Sequence, residues 1–201
     1  MIPTPMTPIP AEPAHFPAIL DLNARSVEVL SPLTPERLAH LHAHAAYHRV
    51  VLVDQQVAAF LLAFAPGAPY DSVNYQWFEA QASNVPAASS NSPGTDPIGT
   101  AAAADPPHSQ PTSTGDFRDF LYVDRIVVAE SARGRGLASL LYRDLFAVAA
   151  ARGHSCVVCE YDLNPPNPAS AAFHQRFGFV EVGSQRVAGG KKAVSLQRAP
   201  V

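Results

Sequence analysis

The chain has 201 residues, of which 47% are hydrophobic and 15% charged, and its formal net charge is −3. This length suits one domain with a proper core, and the mildly acidic balance is not typical of DNA- or RNA-binding proteins, so we expect no nucleic-acid partner. There is no apolar run of the roughly 20 residues that a membrane span needs, no secretory signal, and too few cysteines for a disulfide framework, so we expect a cytoplasmic protein with no membrane partner.

Twenty prolines divide the chain into segments. Residues 1–20 are rich in proline and cannot bury enough apolar surface to fold alone, so we expect a disordered tail. Residues 82–115 contain Ser, Ala, Pro, Thr and Gly but no Leu, aromatic residue, Lys or Arg, which predicts a disordered insertion. The rest of residues 21–201 is expected to form one domain.

The first half of this domain predicts a helix and a hairpin. A short apolar stretch at 26–30 is compatible with an edge strand. Thr34 is a suitable N-cap for a helix with Pro35 at its first position, and the apolar residues that follow recur at helical spacing. Residues 50–54 and 57–65 predict two strands joined by a tight turn.

The second half alternates strands and helices. The pattern predicts strands at 120–128, 156–161, 179–182 and 193–197, and helices at 137–151 and from Asn167 to Gly178. This order indicates an α/β fold in which helices pack on a mixed sheet.

A buried strand runs directly into a glycine-containing loop that opens a helix. Gly134 and Gly136 allow the backbone to approach a ligand closely, and the first N–H groups of the next helix have no intrahelical acceptor. With the helix dipole and the charges of Arg133 and Arg135, these groups are typical of a pyrophosphate site. The alternative is a plain tight turn with solvated arginines. The pattern lacks the Gly-Lys-Ser/Thr of a Walker loop and the third Gly of a dinucleotide fingerprint.

Two motifs in this half resemble those of a known family. The pattern Arg-x-x-Gly-x-Ala at 133–138, after the strand at 126–128, resembles the acyl-CoA signature of the GNAT N-acetyltransferases. The pattern at 167–179, Asn followed by Phe-His and then Gly-Phe, resembles the family's next motif. The match covers about residues 120–182 and is similar to a bacterial branch of the family. The resemblance implies a GNAT-like mixed, mostly antiparallel central sheet of six to seven strands flanked by helices.

The resemblance also implies acetyl-CoA as co-substrate and a primary amine, on a small molecule or a peptide, as the acceptor that attacks the thioester directly. The strand backbone at Ile126, Val127 and Val128 is expected to pair with the pantetheine arm, and Asn167 and Phe173 are expected to contact it. The pyrophosphate is expected at the amides of Arg133, Gly134, Arg135, Gly136, Leu137 and Ala138.

The two central strands, 120–128 and 156–161, are expected to splay and open a slot in which the amine meets the thioester. Asp124 and Glu160 lie in these apolar strands, where burying a carboxylate costs free energy and therefore suggests a specific role. Either residue is a candidate base, acting directly or through water. Alternatively, Asp124 pairs with an arginine, although the adjacent Arg125 is expected to face the other side of the strand. The sequence does not choose between the two carboxylates.

His174 stands where the family most often has a tyrosine that acts as the general acid. An imidazole with an ordinary pKa near 6.5 is suited to that role, and the alternative is a packing residue beside Phe173.

The family varies its acceptor pocket in the stretch between the hairpin and the central strand, which here is rich in aromatic and polar residues. The side chains expected to contact the acceptor are Tyr70, Asn74, Tyr75, Trp77 and, on the central strand, Tyr122. For Trp77 the alternative is a place in the core.

No metal site is expected. Cys156 and Cys159 lie three positions apart in a strand and therefore face opposite sides. The four histidines between residues 40 and 48 are interpreted as a solvated face, because no third ligand with a suitable position is evident.

Two other functions stay open at this point. A non-catalytic acyl-CoA-binding sensor would keep the loop but lack a working acid and base, and an interaction protein would use its proline-rich segments to recruit partners. The oligomeric state, including a homodimer, is also left open.

Overall fold

The computed structural model describes residues 6–26, 31–84 and 117–201. The strand expected at 26–30 lies outside the described residues, apart from its first position. The insertion expected at 82–115 also lies outside them, except for residues 82–84. Those three residues are helical, which corrects the start of the insertion.

One sheet of seven strands forms the centre of the described fold. Its strands are β1 (Ile9–Pro10), β2 (Tyr47–Val53), β3 (Gln56–Phe64), β4 (Phe120–Val128), β5 (Cys156–Asn164), β6 (Val180–Val187) and β7 (Lys192–Pro200). Their spatial order is β1-β2-β3-β4-β5-β7-β6, and among these strands only β4 and β5 pair in parallel. The predicted fold class, a mixed and mostly antiparallel sheet flanked by helices, is confirmed.

Five α-helices of the described residues accompany this sheet. They are α1 (Phe16–Ala24), α2 (Pro35–His44), α3 (Val73–Asn84), α4 (Leu137–Arg152) and α5 (Pro168–Arg176). The two predicted caps are present, because Thr34 and Asn167 each accept a backbone N–H from the first turn of their helix, at 3.1 and 3.0 Å. In the part of the chain that the structure describes, no helix is both long enough and apolar enough to cross a membrane.

The helices cover both faces of the sheet. On one face α4 buries Leu141 and Leu145 in a cluster that also contains Cys159. On the other face α3 buries Phe78 in a cluster that contains Cys156. The two cysteines therefore face opposite sides of β5, as the strand period predicts.

The expectation of a disordered tail at residues 1–20 is wrong from residue 6 onward. β1 pairs with the edge of β2, where Pro10 is tolerated because an edge strand does not need every N–H in its ladder. Ile19 of α1 is fully buried with Val50 and Phe60 of the sheet. The few apolar residues of this segment bury against the sheet rather than against one another, which composition alone cannot reveal.

No periodic pattern predicted helix α3. Its aromatic residues face more than one direction: Tyr75 and Phe78 are fully buried over the sheet, whereas Trp77 contacts β6. A Cβ atom built on Gly183 of β6 would lie 2.8 Å from the Trp77 ring, so the indole packs directly against the backbone of β6. A helix that is covered on several sides lacks the single apolar stripe from which a period is read.

Candidate active site

The central parallel strands separate after three residue pairs. β4 and β5 are in register at Phe120–Cys156, Leu121–Val157 and Tyr122–Val158, and the pairing stops there. Beyond that point β4 stays with β3 and β5 stays with β7. The gap opens into a cavity of about 880 Å³ lined by both strands. The expected splay is therefore present.

A β-bulge places Asp124 and Arg125 together at this gap. Arg125 is opposite Leu62 and Val123 is opposite Ala63, so Asp124 is the extra residue of β4. The bulge breaks the strict alternation of side chains, and Arg125 Nε lies 2.5 Å from an Asp124 oxygen, with each side chain only 6% exposed. The expectation that these two side chains face opposite sides was wrong, because the sequence does not reveal the bulge.

Tyr70 satisfies the other oxygen of Asp124. Its hydroxyl donates to that oxygen, and burial together with the neighbouring carboxylate raises the pKa of Tyr70 above its usual range. Asp124 thus has a donor on each carboxylate oxygen, and both residues line the cavity.

Glu160 lies across the gap in a different environment. The hydroxyl of Tyr122 donates to its Oε1 at 3.0 Å. Its buried Oε2 makes no hydrogen bond of ordinary geometry in the described residues, although the side chain of Asn74 lies close enough to stabilise the charged carboxylate. Burial raises the pKa of Glu160 to about 8, although the side chains of Asn74 and Tyr122 act in the opposite direction. An unpaired carboxyl oxygen with such a pKa is suited to accept a proton near neutral pH.

His174 is buried and fully hydrogen-bonded. Its Nδ1 lies 2.8 Å from the carbonyl oxygen of Ser170, which can only accept, so the proton is on Nδ1. Its Nε2 therefore accepts the hydroxyl of Tyr142, at 2.8 Å. Because burial lowers the pKa of His174, the imidazole is neutral at pH 7, which favours the packing role beside Phe173 over that of a charged acid.

The glycine loop has the form that an anion site requires. Gly134 and Gly136 both have φ of +77°, and a Cβ atom built on either would meet nothing within 4 Å. Gly136 is the N-cap of α4, so the first N–H groups of that helix lack internal acceptors. Arg133 lines the cavity, while Arg135 contacts Met6 of the N-terminal segment. Leu137 is buried at the start of the helix, and Ala138 follows it.

The residues expected to hold the pantetheine arm lie between this loop and the gap. The cavity is lined by Ile126, Val127, Val128 and Asn167. Phe173 is half-buried and packs edge-on against the ring of Tyr142 at 5.0 Å instead of lining the cavity. The loop, the β4 backbone and Asn167 thus fit a pyrophosphate and its extended arm.

The expected acceptor residues divide into two groups. Tyr70, Asn74 and Tyr122 line the cavity. Tyr75 and Trp77 do not: Tyr75 is fully buried, with its hydroxyl 2.8 Å from the carbonyl oxygen of Ala65, and Trp77 packs against β6. Their placement as acceptor contacts is therefore corrected. Tyr75 packs over the sheet and Trp77 against β6, and the sequence identified neither contact.

The cavity is also lined by other residues, of which Arg37, Asp162 and Lys192 were missed at the sequence level. Tyr142 lines the cavity from α4, where the sequence gives only a helical position. Arg37 and Asp71 form an ion pair at the rim, and Lys192 lies 3.3 Å from Asp162 on the β7 side. These pairs join residues that are distant in sequence, so no local motif marks them.

The described residues contain no group of three or more His, Cys, Asp or Glu side chains arranged to hold a metal. His48 was wrongly assigned to a solvated face: it lies on β2, is 9% exposed, and its Nδ1 is 2.9 Å from that of His42. Burial, with the nearby histidines, lowers the pKa of His48 to about 3.

Two strands that separate beside a glycine loop at a helix N-terminus form the arrangement that the resemblance to the acyl-CoA-dependent N-acyltransferases implies. The family model described as acetyltransferase (GNAT) family matches residues 54–179. The chain therefore belongs to the GNAT acetyltransferase family, as its two motifs predicted.

One curated relative matches part of the chain. It is the phosphinothricin N-acetyltransferase of Streptomyces coelicolor, which is 46% identical over 67 residues. The match spans 33% of this chain and 37% of the relative, so it covers little more than a third of that protein.

Solved structures resemble the whole fold. The acetyltransferase yncA of Salmonella typhimurium, solved with its cofactor acetyl-CoA, has a TM-score of 0.63 at 14% identity and covers 98% of this chain and 94% of its own. Arabidopsis thaliana NAA60, in complex with acetyl-CoA, has a TM-score of 0.66 at 12% identity, with 98% and 100% covered. The ribosomal-protein-S18-alanine N-acetyltransferase of Escherichia coli has a TM-score of 0.61 at 14% identity, with 98% and 94% covered. At these identities the likeness concerns the fold.

Proposed function

We propose that this protein transfers the acetyl group of acetyl-CoA to a primary amine by direct attack of the amine on the thioester. The observation that carries the proposal is the placement of Glu160 at the gap between β4 and β5, with an unpaired oxygen and a pKa near neutrality. Acetyl-CoA supplies the activated acetyl group. The acceptor is an amine on a small molecule or a peptide.

The loop residues bind and orient the co-substrate. The unpaired N–H groups at the start of α4 and the charge of Arg133 hold the pyrophosphate. The free edge of β4 at 126–128, left open by the splay, offers backbone groups to the pantetheine arm. Holding both reactants at the gap supplies the proximity from which much of the rate comes.

Glu160 acts as the base. An ammonium group cannot attack, because its nitrogen has no lone pair, so a proton must leave first. Oε2 of Glu160 receives that proton, while Tyr122 holds Oε1 in place. Asp124 is a poorer base because both of its oxygens already have donors.

The leaving thiolate does not require a charged acid from the protein. A thiol with a pKa of about 8.5 leaves readily as the anion. His174 and Tyr142 instead connect α5 to α4 beside the gap and keep that wall of the cavity ordered.

The test is release of free thiol from acetyl-CoA across a panel of amino acids, alkylamines, polyamines and short peptides. We expect turnover with at least one amine, and we expect Glu160→Gln to reduce kcat by about 10²–10⁴-fold. Glu36→Gln, an exposed carboxylate on α2, is the matched control and leaves kcat unchanged. A protein that binds acetyl-CoA and releases no thiol with any amine is instead the acyl-CoA sensor. A cytoplasmic location and a homodimer stay predictions.

A further inference from the structure

The two carboxylates at the gap have complementary surroundings. Glu160 keeps one oxygen without a partner, whereas Asp124 has a hydroxyl on one oxygen and a guanidinium on the other. Tyr122 lies near both of them. An amine that enters the gap therefore meets one carboxyl group that can take a proton and another whose two oxygens are already held by donors.

The guanidinium of Arg125 is itself held from the N-terminal helix. Asn23 of α1 is 1% exposed, and its Oδ1 accepts from Arg125 Nη1 at 2.8 Å. The amide nitrogen of Asn23 donates to the carbonyl oxygen of Ser31 at 3.2 Å, and that oxygen also lies 3.4 Å from Arg125 Nη1. A chain of buried polar contacts thus runs from α1 to Asp124.

From this arrangement we propose that Asp124 binds the ammonium group of the acceptor, and that Asn23 is a positioning residue that acts on it through Arg125. The inference rests on the proposed function and assigns a different role to each of the two carboxylates. Asp124 receives the positively charged group, and Glu160 then takes its proton.

The carboxylate of Asp124 lines the cavity and can accept a third hydrogen bond. A carboxylate has about four lone-pair sites, and Tyr70 and Arg125 account for one on each oxygen. The contacts with Arg125 and Tyr70 hold the carboxylate in place, and its side chain is only 6% exposed. In such a shielded site a further charge-assisted hydrogen bond is strong.

The other carboxylates of the cavity are less suited to this role. The side chain of Asp71 is 76% exposed at the rim, where it pairs with Arg37. Asp162 pairs with Lys192 near the far end of β5. Only Asp124 and Glu160, among the described acidic residues, lie where the two central strands separate.

The first test separates binding from proton transfer. With the panel amine of highest kcat/KM, Asp124→Asn is expected to raise the acceptor KM by about tenfold or more, with kcat changed far less and acetyl-CoA affinity retained. Glu160→Gln is expected to lower kcat strongly and to change the acceptor KM far less. An unchanged acceptor KM in folded Asp124→Asn would overturn the proposal, and so would a fall of about 100-fold in kcat at constant KM, which marks Asp124 as the base.

Further variants distinguish a loss of acceptor binding from a loss of folding. Asp124→Asn combined with Arg125→Gln removes both charges and leaves no unpaired ion in the interior, and it should show the same rise in acceptor KM as the single variant. Asn23→Ala should raise the acceptor KM but not the dissociation constant of acetyl-CoA. Asp21→Ala, on the exposed side of the same helix, is the control and changes neither. A loss of melting temperature in Asn23→Ala without a change in KM would make Asn23 merely structural.

A binding measurement keeps this inference separate from the proposed function. NMR titration of the CoA complex with n-propylammonium, and with n-propanol as the neutral match, requires no turnover. We expect the cation to bind more tightly than the alcohol, and Asp124→Asn to remove the difference. Equal binding of the two in the wild type contradicts an ammonium site, whereas absent turnover with every amine contradicts only the proposed activity.

Discussion

The hydroxyl of Tyr142 donates a hydrogen bond to Nε2 of His174 over 2.8 Å, and the carbonyl oxygen of Ser170 engages the opposite ring nitrogen at 2.8 Å. The imidazole is thereby held in one neutral tautomer between α4 and α5. His174 stands where the family most often has its general acid, but both of its ring nitrogens make structural hydrogen bonds.

His174→Phe is accordingly expected to reduce stability more than catalysis. The substitution leaves the buried hydroxyl of Tyr142 without its partner, which costs about 1–3 kcal/mol, or several degrees of melting temperature for a chain of this length. We expect kcat to stay within about tenfold of wild type. Thermal melts and steady-state kinetics measure the two effects. A large fall in kcat with an unchanged melting temperature would show that the imidazole is the acid.

The rate is expected to rise with pH through the titration of Glu160. The pKa of Glu160 is raised to about 8, chiefly by burial and also by the charges of Asp124 and Asp162, although hydrogen bonds from Asn74 and Tyr122 act in the opposite direction. The base is active only when ionised, so kcat/KM should increase from pH 6 towards about pH 9 with a midpoint near 8. In Glu160→Gln that rise should vanish. A profile that is flat in the wild type, with the acceptor's own ionisation accounted for, contradicts the assignment.

The same residue predicts how stability depends on pH. A carboxyl group with a folded-state pKa above its unfolded value stabilises the protein fully below about pH 4, and this contribution is lost as pH rises through about 8. Glu160→Gln removes this loss, so it should be more stable than wild type at pH 9, by at most about 5 kcal/mol for a rise from 4.5 to about 8. At pH 5 the two proteins should be nearly equal. Urea denaturation at both pH values measures the difference, and equal stabilities at pH 9 would contradict a buried, protonated Glu160.

Gly136→Asp is expected to weaken acetyl-CoA binding by more than tenfold, a loss of over about 1.4 kcal/mol. The substitution places a negative side chain at the start of α4, where the pyrophosphate is expected. Gly153→Asp is a matched control at the other end of the same helix, since its φ is +79° and its added Cβ also meets nothing within 4 Å. Both variants carry similar backbone strain, so calorimetry should show weaker binding in Gly136→Asp alone. Equal affinities in the two folded variants would exclude the loop as the pyrophosphate site.

Replacement of residues 85–116 by a short Gly/Ser linker is expected to lower the melting temperature by less than about 5 °C. The segment has almost no large apolar side chain with which to join a core. Phe117 must be kept, because it is 3% exposed and packs near Trp77 and Phe78. Phe117→Ala is the contrasting variant and should cost about 3–5 kcal/mol. A larger loss from the linker exchange would show that the segment contributes to the core.

The sequence by itself determined the parts of this protein that depend on neighbouring residues. The order of β4, the glycine loop and α4 follows from an apolar run, two glycines and a helical stripe that are adjacent in the chain. The caps at Thr34 and Asn167, and the opposite orientation of Cys156 and Cys159, follow from local geometry in the same way. These features can be predicted without knowing which residues pack against them.

The tertiary structure decided what each catalytic candidate does. Asp124 and Arg125 meet because β3 imposes a bulge on β4, and Glu160 keeps an unpaired oxygen because of how Tyr122 and the separating strands surround it. His174 is neutral because burial lowers its pKa, and its Nε2 accepts a hydrogen bond from Tyr142, 32 positions away in the chain. Protonation state and side-chain direction depend on burial and on partners brought together only by folding, which is why a sequence pattern can locate these residues without assigning their roles.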